Sequence, residues 1–199
     1  MYINFWYPVC TSAEIDNETP ARVQIMGLRF VAFRDGNGQA AVLSDTCVHR
    51  GGSLSKGPIR DANISCPYHG WQFDKNGECQ VLPAMVGEVR SKARRVPHFS
   101  TLERDGYVWV WAMPDDEPDT EPFSVPLRDN SDYITIRYTY DVEGSLYSTA
   151  ENALDVPHTS FLHKGLFRTG AQNQTKVDIH RENGVAAANY ICQPAPNGL

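Results

Sequence analysis

Cys47-Val48-His49 and Cys66-Pro67-Tyr68-His69 pair a thiol with an imidazole twice, with sixteen residues between the two groups. A thiolate is a soft anionic donor and a neutral imidazole a borderline one, so together they suit iron or zinc rather than magnesium or calcium. One chemistry that uses two of each is an iron–sulfur cluster in which two thiolates hold one iron and two imidazoles the other. The alternative is a structural zinc ion with a Cys₂His₂ ligand set, although Cys-x-His is an unusual spacing for a zinc finger. Each pair lies beside glycine, Gly51 and Gly52 in the first and Gly70 in the second. These three are expected to take backbone conformations closed to other residues, so that the chain wraps closely around inorganic sulfide.

A second group follows in Glu151-Asn152-Ala153-Leu154-Asp155-Val156-Pro157-His158, continuing through Thr159-Ser160-Phe161-Leu162 to His163. Two imidazoles with a nearby carboxylate are the makings of a 2-His-1-carboxylate site for mononuclear Fe(II). On an ideal helix His158 and His163 would be about 140° apart rather than stacked. An ordinary polar helix face is therefore the competing reading. Pro157 removes a backbone donor and is expected to break the helix, which could bring the two rings together. Asp155, three residues before His158, is either a partner for that ring or an N-cap of the turn opening at Pro157.

The flanking residues of the first pair of motifs, CVHRGGSL and CPYHGWQFD, resemble the cluster loops of the Rieske non-haem iron oxygenases, and N-x-x-D-x-x-H-x₄-H resembles their iron-binding segment. The resemblance implies a [2Fe–2S] cluster on Cys47, His49, Cys66 and His69. It also implies mononuclear Fe(II) on His158 and His163, and Asp155 bridging a cluster histidine of one subunit and an iron-ligand histidine of its neighbour. Respiratory Rieske proteins carry an additional cysteine in each loop, and the two form a disulfide. Here Gly52 or its neighbours and Tyr68 stand in those places, so that bridge is absent. Trp71 and Phe73 replace the serine and tyrosine hydroxyls found near the respiratory cluster. Fewer hydrogen bonds to sulfur place the expected potential towards the low end of the roughly −150 to +300 mV Rieske range.

The implied activity is an oxygenase fed from NAD(P)H through a ferredoxin or flavin reductase partner, using O₂ to hydroxylate, dihydroxylate or demethylate a small organic substrate, expected to be aromatic or cyclic. The immediate N-terminal start of the Rieske domain and the short N-x-x-D spacing look more like the single-subunit monooxygenase and demethylase branch, with ring-dihydroxylating αβ enzymes as the alternative, and the implied assembly is a homotrimer. The competing class is a Rieske ferredoxin, an electron carrier without oxygen chemistry of its own; the residues beyond 126 and the His158/His163 pair speak against it.

These motifs need loops carried by strands. Arg22–Ile25, Leu28–Arg34 and Ala40–Leu43 read as strands around an Asp35-Gly36-Asn37-Gly38 turn, and Ile64-Ser65, Trp71–Phe73 and Tyr107–Trp111 as further β segments. The proline-punctuated acidic stretch 114–126 reads as a linker. Beyond it Tyr133–Tyr140 alternates as a strand, Gly144 to about Asp155 reads as a helix, and 175–180 with 185–191 as a hairpin. The expected fold is mainly β with an α+β second part. A Rieske β-sandwich (1–113) and a linker (114–126) lead into the beginning of a helix-grip catalytic domain (127–199). In the family the third iron ligand, an aspartate, lies far downstream. Only 36 residues follow His163, and 193–199 look like an interrupted loop, so the chain reads as an N-terminal fragment. Asp178 is the nearest available substitute, though its position does not match the family's.

With 41% hydrophobic residues and a formal charge of −6, the composition describes a mildly acidic soluble protein. No basic run suggests nucleic acid and no apolar stretch is long enough to cross a bilayer. The N-terminus lacks the features of a secretory signal. Cys10, Cys79 and Cys192 are expected to be reduced thiols, and the location cytoplasmic.

Overall fold

Ten short strands make the first half of the chain. They are β1 (Trp6–Thr11), β2 (Ala21–Ile25), β3 (Leu28–Arg34), β4 (Ala40–Ser44), β5 (Ile59–Arg60), β6 (Asn63–Ser65), β7 (Gln72–Phe73), β8 (Cys79–Val81), β9 (His98–Arg104) and β10 (Tyr107–Pro114). In this computed structural model, which describes residues 4–83, 85–163 and 175–192, all of their pairings are antiparallel. One sheet runs β1-β10-β9-β4-β3-β2 and a smaller one β5-β6-β7-β8.

The middle of β3, Phe30–Phe33, is apolar throughout because it buries both faces. On β3, Phe30 and Ala32 enter one core with Val42, Val108 and Val110. Val31 and Phe33 enter a second core with Leu43, Leu54, Ile64 and Phe73, which joins the two sheets. The period-two alternation of side chains is thus intact, but both sides are inside. Three hairpins of these sheets turn on two-residue loops with positive φ at both positions, Met26-Gly27, Asp61-Ala62 and Asp105-Gly106, the geometry that matches strand twist. Asp105-Gly106 carries the Asp-Gly signal for such a turn, whereas Met26-Gly27 and Asp61-Ala62 do not; β1, β5, β8 and β9 were not among the strands expected.

Segment 114–126 supplies acceptors to this sheet. The Trp6 indole donates to Thr120 O (2.8 Å) and the Trp111 indole to the Asp116 carboxylate (3.1 Å). Arg104 donates to Pro122 O and pairs with Glu121 (2.6 Å). Arg128 in turn pairs with Asp105 at 2.8 Å.

The chain divides into two units, Met1–Thr135 and Ile136–Leu199. In the second, α1 (Leu146–Leu154) opens on Ser145, whose hydroxyl accepts from Ser148 N, so the expected helix is present. A 3-10 turn over Val156–His158 separates it from α2 (Thr159–Leu162). The expected hairpin forms as β11 (Thr175–Glu182) and β12 (Val185–Cys192), turning at Asn183-Gly184 with φ of 49° and 77°.

The strand expected over Tyr133–Tyr140 does not form. Those residues join no ladder, and Ile134 and Ile136 are 89% and 68% exposed. Alternation is necessary for a half-buried strand but not sufficient; without a neighbour to take its N–H and C=O groups an extended segment gains nothing from pairing. The side chain of Cys192 and residues 193–199 lie outside the described residues.

Candidate metal centres

Two loops project from the sheets, one between β4 and β5 carrying Cys47 and His49, the other between β6 and β7 carrying Cys66 and His69. They repeat the same backbone bonds. Cys47 N–H donates to Gly52 O (2.9 Å) and Gly51 N–H returns to Cys47 O (2.9 Å). Cys66 N–H donates to Trp71 O (2.8 Å) and Gly70 N–H returns to Cys66 O (2.9 Å). Gly51 and Gly70, each four residues after its cysteine, have φ of 70° and 71°, a conformation costly for a residue with a Cβ.

Gly52 departs from the expectation for the three glycines: its φ is not positive. What requires glycine there is proximity, since a Cβ would lie 3.1 Å from the Cys66 Sγ. The first loop therefore leans directly on the thiol of the second.

The four side chains separate by type. Cys47 and Cys66 are 2% and 3% exposed, and their thiols are neighbours. His49 and His69 are exposed, with ring centroids 4.7 Å apart. Each imidazole is backed by an aromatic ring: Trp71 lies parallel to His49 at 4.5 Å, and Tyr68 stacks on His69 at 3.9 Å. Those stacking roles carried no signal in the sequence, where Trp71 stood out only for lacking a hydroxyl.

Burial pushes the Cys47 thiol up to about 11, and the neighbouring Cys66 adds to the rise. Metal must therefore displace protons from this pair on binding. Desolvation, then the nearby His69 and Arg50, hold His49 below the usual imidazole range, so its neutral, ligating form prevails. A thiol pair inside and an imidazole pair outside is the division a Rieske cluster requires, one iron to each pair. A tetrahedral zinc ion would instead draw all four to one point; among the described residues no three His, Cys, Asp or Glu side chains converge in that way. The residues fit the cluster. Cys10 and Cys79 are buried free thiols, the former raised to about 11 chiefly by burial.

In the second unit the helix break decides the geometry. With α1 ended at Leu154 and Pro157 opening a 3-10 turn, His158 and His163 do not share one regular helix. Their rings approach to 5.5 Å, edge to face. The Nδ1 of His158 is buried without a hydrogen-bond partner, and the nearest carboxylate oxygen is Oδ2 of Asp155 at 3.7 Å. An unpartnered buried ring nitrogen beside a second imidazole fits a metal site, with the other nitrogen left for the ion. The Asp155 side chain is 57% exposed and makes no capping bond to the turn, so the cap reading finds no hydrogen bond in its favour. Asn152 is exposed. Asp178 lies on β11 beside Lys176 at 3.3 Å. Among the described residues no third His, Cys, Asp or Glu joins the His158/His163 pair.

Comparison with known proteins assigns the class. Residues 5–100 match the Rieske [2Fe–2S] domain. Over 92% of its length the chain is 34% identical to chlorophyllide a oxygenase of Chlamydomonas reinhardtii, covering 28% of that protein. Over 91% it is 30% identical to methylxanthine N1-demethylase NdmA of Pseudomonas putida, covering 53%. The solved NdmA structure of Pseudomonas putida CBB5 superposes with a TM-score of 0.80 at 29% identity, over 94% of this chain and 58% of that one. The chain thus carries a Rieske [2Fe–2S] domain over residues 5–100 and is similar over most of its length to an oxygenase and a demethylase. It spans between about a quarter and about a half of the length of these curated relatives.

Proposed function

We propose that this chain is the electron-receiving and iron-binding part of a Rieske oxygenase. The observation that carries the reading is the sorting of ligands: thiols inward and imidazoles outward on two matched loops. The same chain also holds a proline-broken helix that brings His158 to His163. When bound, a Rieske cluster supplies one-electron transfer and a ferrous ion supplies dioxygen activation. Cys47 and Cys66 hold one cluster iron and, by their burial, keep water from the sulfurs. His49 and His69, both exposed, would hold the other on the side open to a partner protein. His158 and His163 hold the mononuclear iron, with a third ligand supplied from beyond residue 199. Asp155, exposed and 3.7 Å from the His158 Nδ1, would reach a cluster histidine of a neighbouring subunit in a homotrimer and orient both rings on closing that gap.

The domains run 1–113, 114–126 and 127–199 on this reading. The partner is a ferredoxin or flavin reductase drawing on NAD(P)H, the substrate a small cyclic or aromatic compound, and the location cytoplasmic. No described helix is long and apolar enough to cross a membrane.

Iron and sulfide analysis with EPR of the anaerobic, dithionite-reduced protein tests the assignment. Two cluster irons with a Rieske signal plus one ferrous ion lost in His158→Ala are expected. A Rieske signal with no further iron, in the chain extended to the length of its relatives, would leave only a carrier. In that longer protein Asp155→Asn should load both centres and accept electrons from its partner, yet stall with the cluster reduced. Normal turnover would remove the bridging role from Asp155 and leave the iron ligands untouched.

A further inference from the structure

Asp45 follows β4 directly, at the foot of the first cluster loop, and is fully buried. Its N–H donates to Arg29 O at 2.9 Å, which fixes the main chain at that end. Its carboxylate reaches the other end of the loop. Oδ2 accepts from the hydroxyls of Ser53 (2.5 Å) and Ser55 (2.9 Å), and Oδ1 accepts from Ser55 N–H (2.6 Å). Arg22, half exposed, stands 3.7 Å from Oδ2. Leu54, between the two serines, is fully buried and pins that limb into the core shared with Cys47 and Cys66.

The second loop needs no such group. Its ends are joined by strand pairing, Ser65 to Gln72 and Ile64 to Phe73. The first loop has no ladder across its base among the described residues. A charged acceptor taking three donors does that work, and a buried carboxylate keeps its place only while those donors stay.

We propose that Asp45 is a positioning residue for the metal centre: with Ser53 and Ser55 it clasps the first loop shut and so holds Gly52 against the sulfur of Cys66. This rests on the reading that the two loops hold a [2Fe–2S] cluster. Gly52 adjoins Ser53, and its Cα leaves just enough room for the sulfur, a Cβ falling at 3.1 Å. Releasing the serines frees the residue that walls off one thiolate, and water and chelator then reach it.

The test uses the full chain loaded anaerobically with iron and sulfide. Asp45→Asn, the Ser53→Ala/Ser55→Ala pair and the triple variant are compared with the parent. Bleaching in EDTA gives the rate of cluster loss, dithionite-reduced EPR reports the site, and far-UV circular dichroism reports the fold. Cluster loss should be on the order of tenfold faster in each folded variant, as losing a charge-assisted hydrogen bond implies. The EPR lines should broaden. The triple variant should be no worse than Asp45→Asn alone, because one device is being removed twice. Unchanged EDTA rates and EPR lines in folded variants overturn the clasp, and so do strictly additive losses. Should Asp45→Asn not fold, Ser55→Ala, which keeps the carboxylate and its backbone donor, decides by the same readouts. A parent chain that takes up iron and sulfide without any Rieske signal overturns the cluster reading itself, and is recognised before any variant is made.

Discussion

The two cluster loops enclose their cysteines with the same pair of backbone bonds and the same left-handed glycine, yet they are closed at the base by different means. The second is the end of a hairpin, its limbs paired backbone to backbone. The first has its limbs joined by the Asp45 carboxylate and two serines. Backbone pairing tolerates many side chains, whereas a side-chain clasp depends on three particular residues. Equivalent loop geometry can therefore rest on unequal supports, and the support that relies on side chains is the easier one to break by substitution.

The largest effect is expected where the two loops meet. The tail of the first loop crosses the base of the second at Gly57, where an added Cβ would fall 1.7 Å from Ser65 O. Backbone cannot yield as a flexible side chain does, so Gly57→Ala should cost about 3 kcal/mol or more. Thermal denaturation of the metal-free and loaded protein should show both destabilised. By contrast, Gly51→Ala meets nothing within 4 Å and strains only its own φ of 70°, roughly 1–2 kcal/mol. Equal losses would mean that the loops are not wedged together at Gly57.

Next is the ligand set itself. Replacing His69 or His49 by cysteine exchanges a neutral donor for an anionic one. The potential should fall from the Rieske range towards the roughly −400 mV of all-thiolate ferredoxins. Voltammetry should find similar falls for both, since the loops present matched imidazoles. An unchanged potential in either variant would remove that histidine from the ligand set.

A smaller change separates the two bases. Gln72 at the foot of the second loop is buried with its Oε1 unpartnered. Because the strand pairing there is made by backbone, Gln72→Leu should be neutral or stabilising by about 1 kcal/mol in chemical denaturation. A marked loss would show that side chains close the second loop too.

Much of the site was legible because it is local. Cysteine, histidine and glycine at fixed offsets within six residues specify the loop by themselves, and the broken helix at Pro157 is visible in one dipeptide. The closure of the first loop was not legible. Asp45, Ser53 and Ser55 are common polar residues, and nothing in their types says that a carboxylate will be fully buried. Strands went the same way. Leu28–Arg34 and the 175–192 hairpin announce themselves by composition and by Asn183-Gly184. β9, His98-Phe99-Ser100-Thr101-Leu102-Glu103-Arg104, is recruited by its neighbours β4 and β10. Conversely Tyr133–Tyr140 has the pattern of a strand and no partner to pair with. Periodicity records which face a segment is ready to bury, whereas pairing depends on what lies beside it in space.

The smallest expected effect concerns the tie between the sheets that bear the two loops. Asp35, in the turn between β3 and β4, is 7% exposed and accepts from Asn37 N–H and Gln39 N–H. It also accepts from Lys75 (2.9 Å), in the turn between β7 and β8. Burial alone would raise this carboxyl, but Lys75 and the two backbone donors outweigh it and hold it below the ordinary value of 3.8. A group depressed on folding stabilises above its unfolded pKa and loses that contribution as pH falls through the folded one. The tie should thus be intact at pH 5 and above, and lost only below about pH 4. Lys75 is nearly half exposed, so solvent screens the pair, and Lys75→Met should cost at most about 1 kcal/mol at pH 7. It should also remove one of the groups holding the carboxyl down, so that the folded pKa returns towards the unfolded one and less stability is lost between pH 5 and 3.5 than in the parent. Urea titrations at pH 7, 5 and 3.5 measure both. An acid limb that stays where it was in Lys75→Met would mean that the turn's own N–H groups suffice, and that the two sheets are joined by their shared core alone.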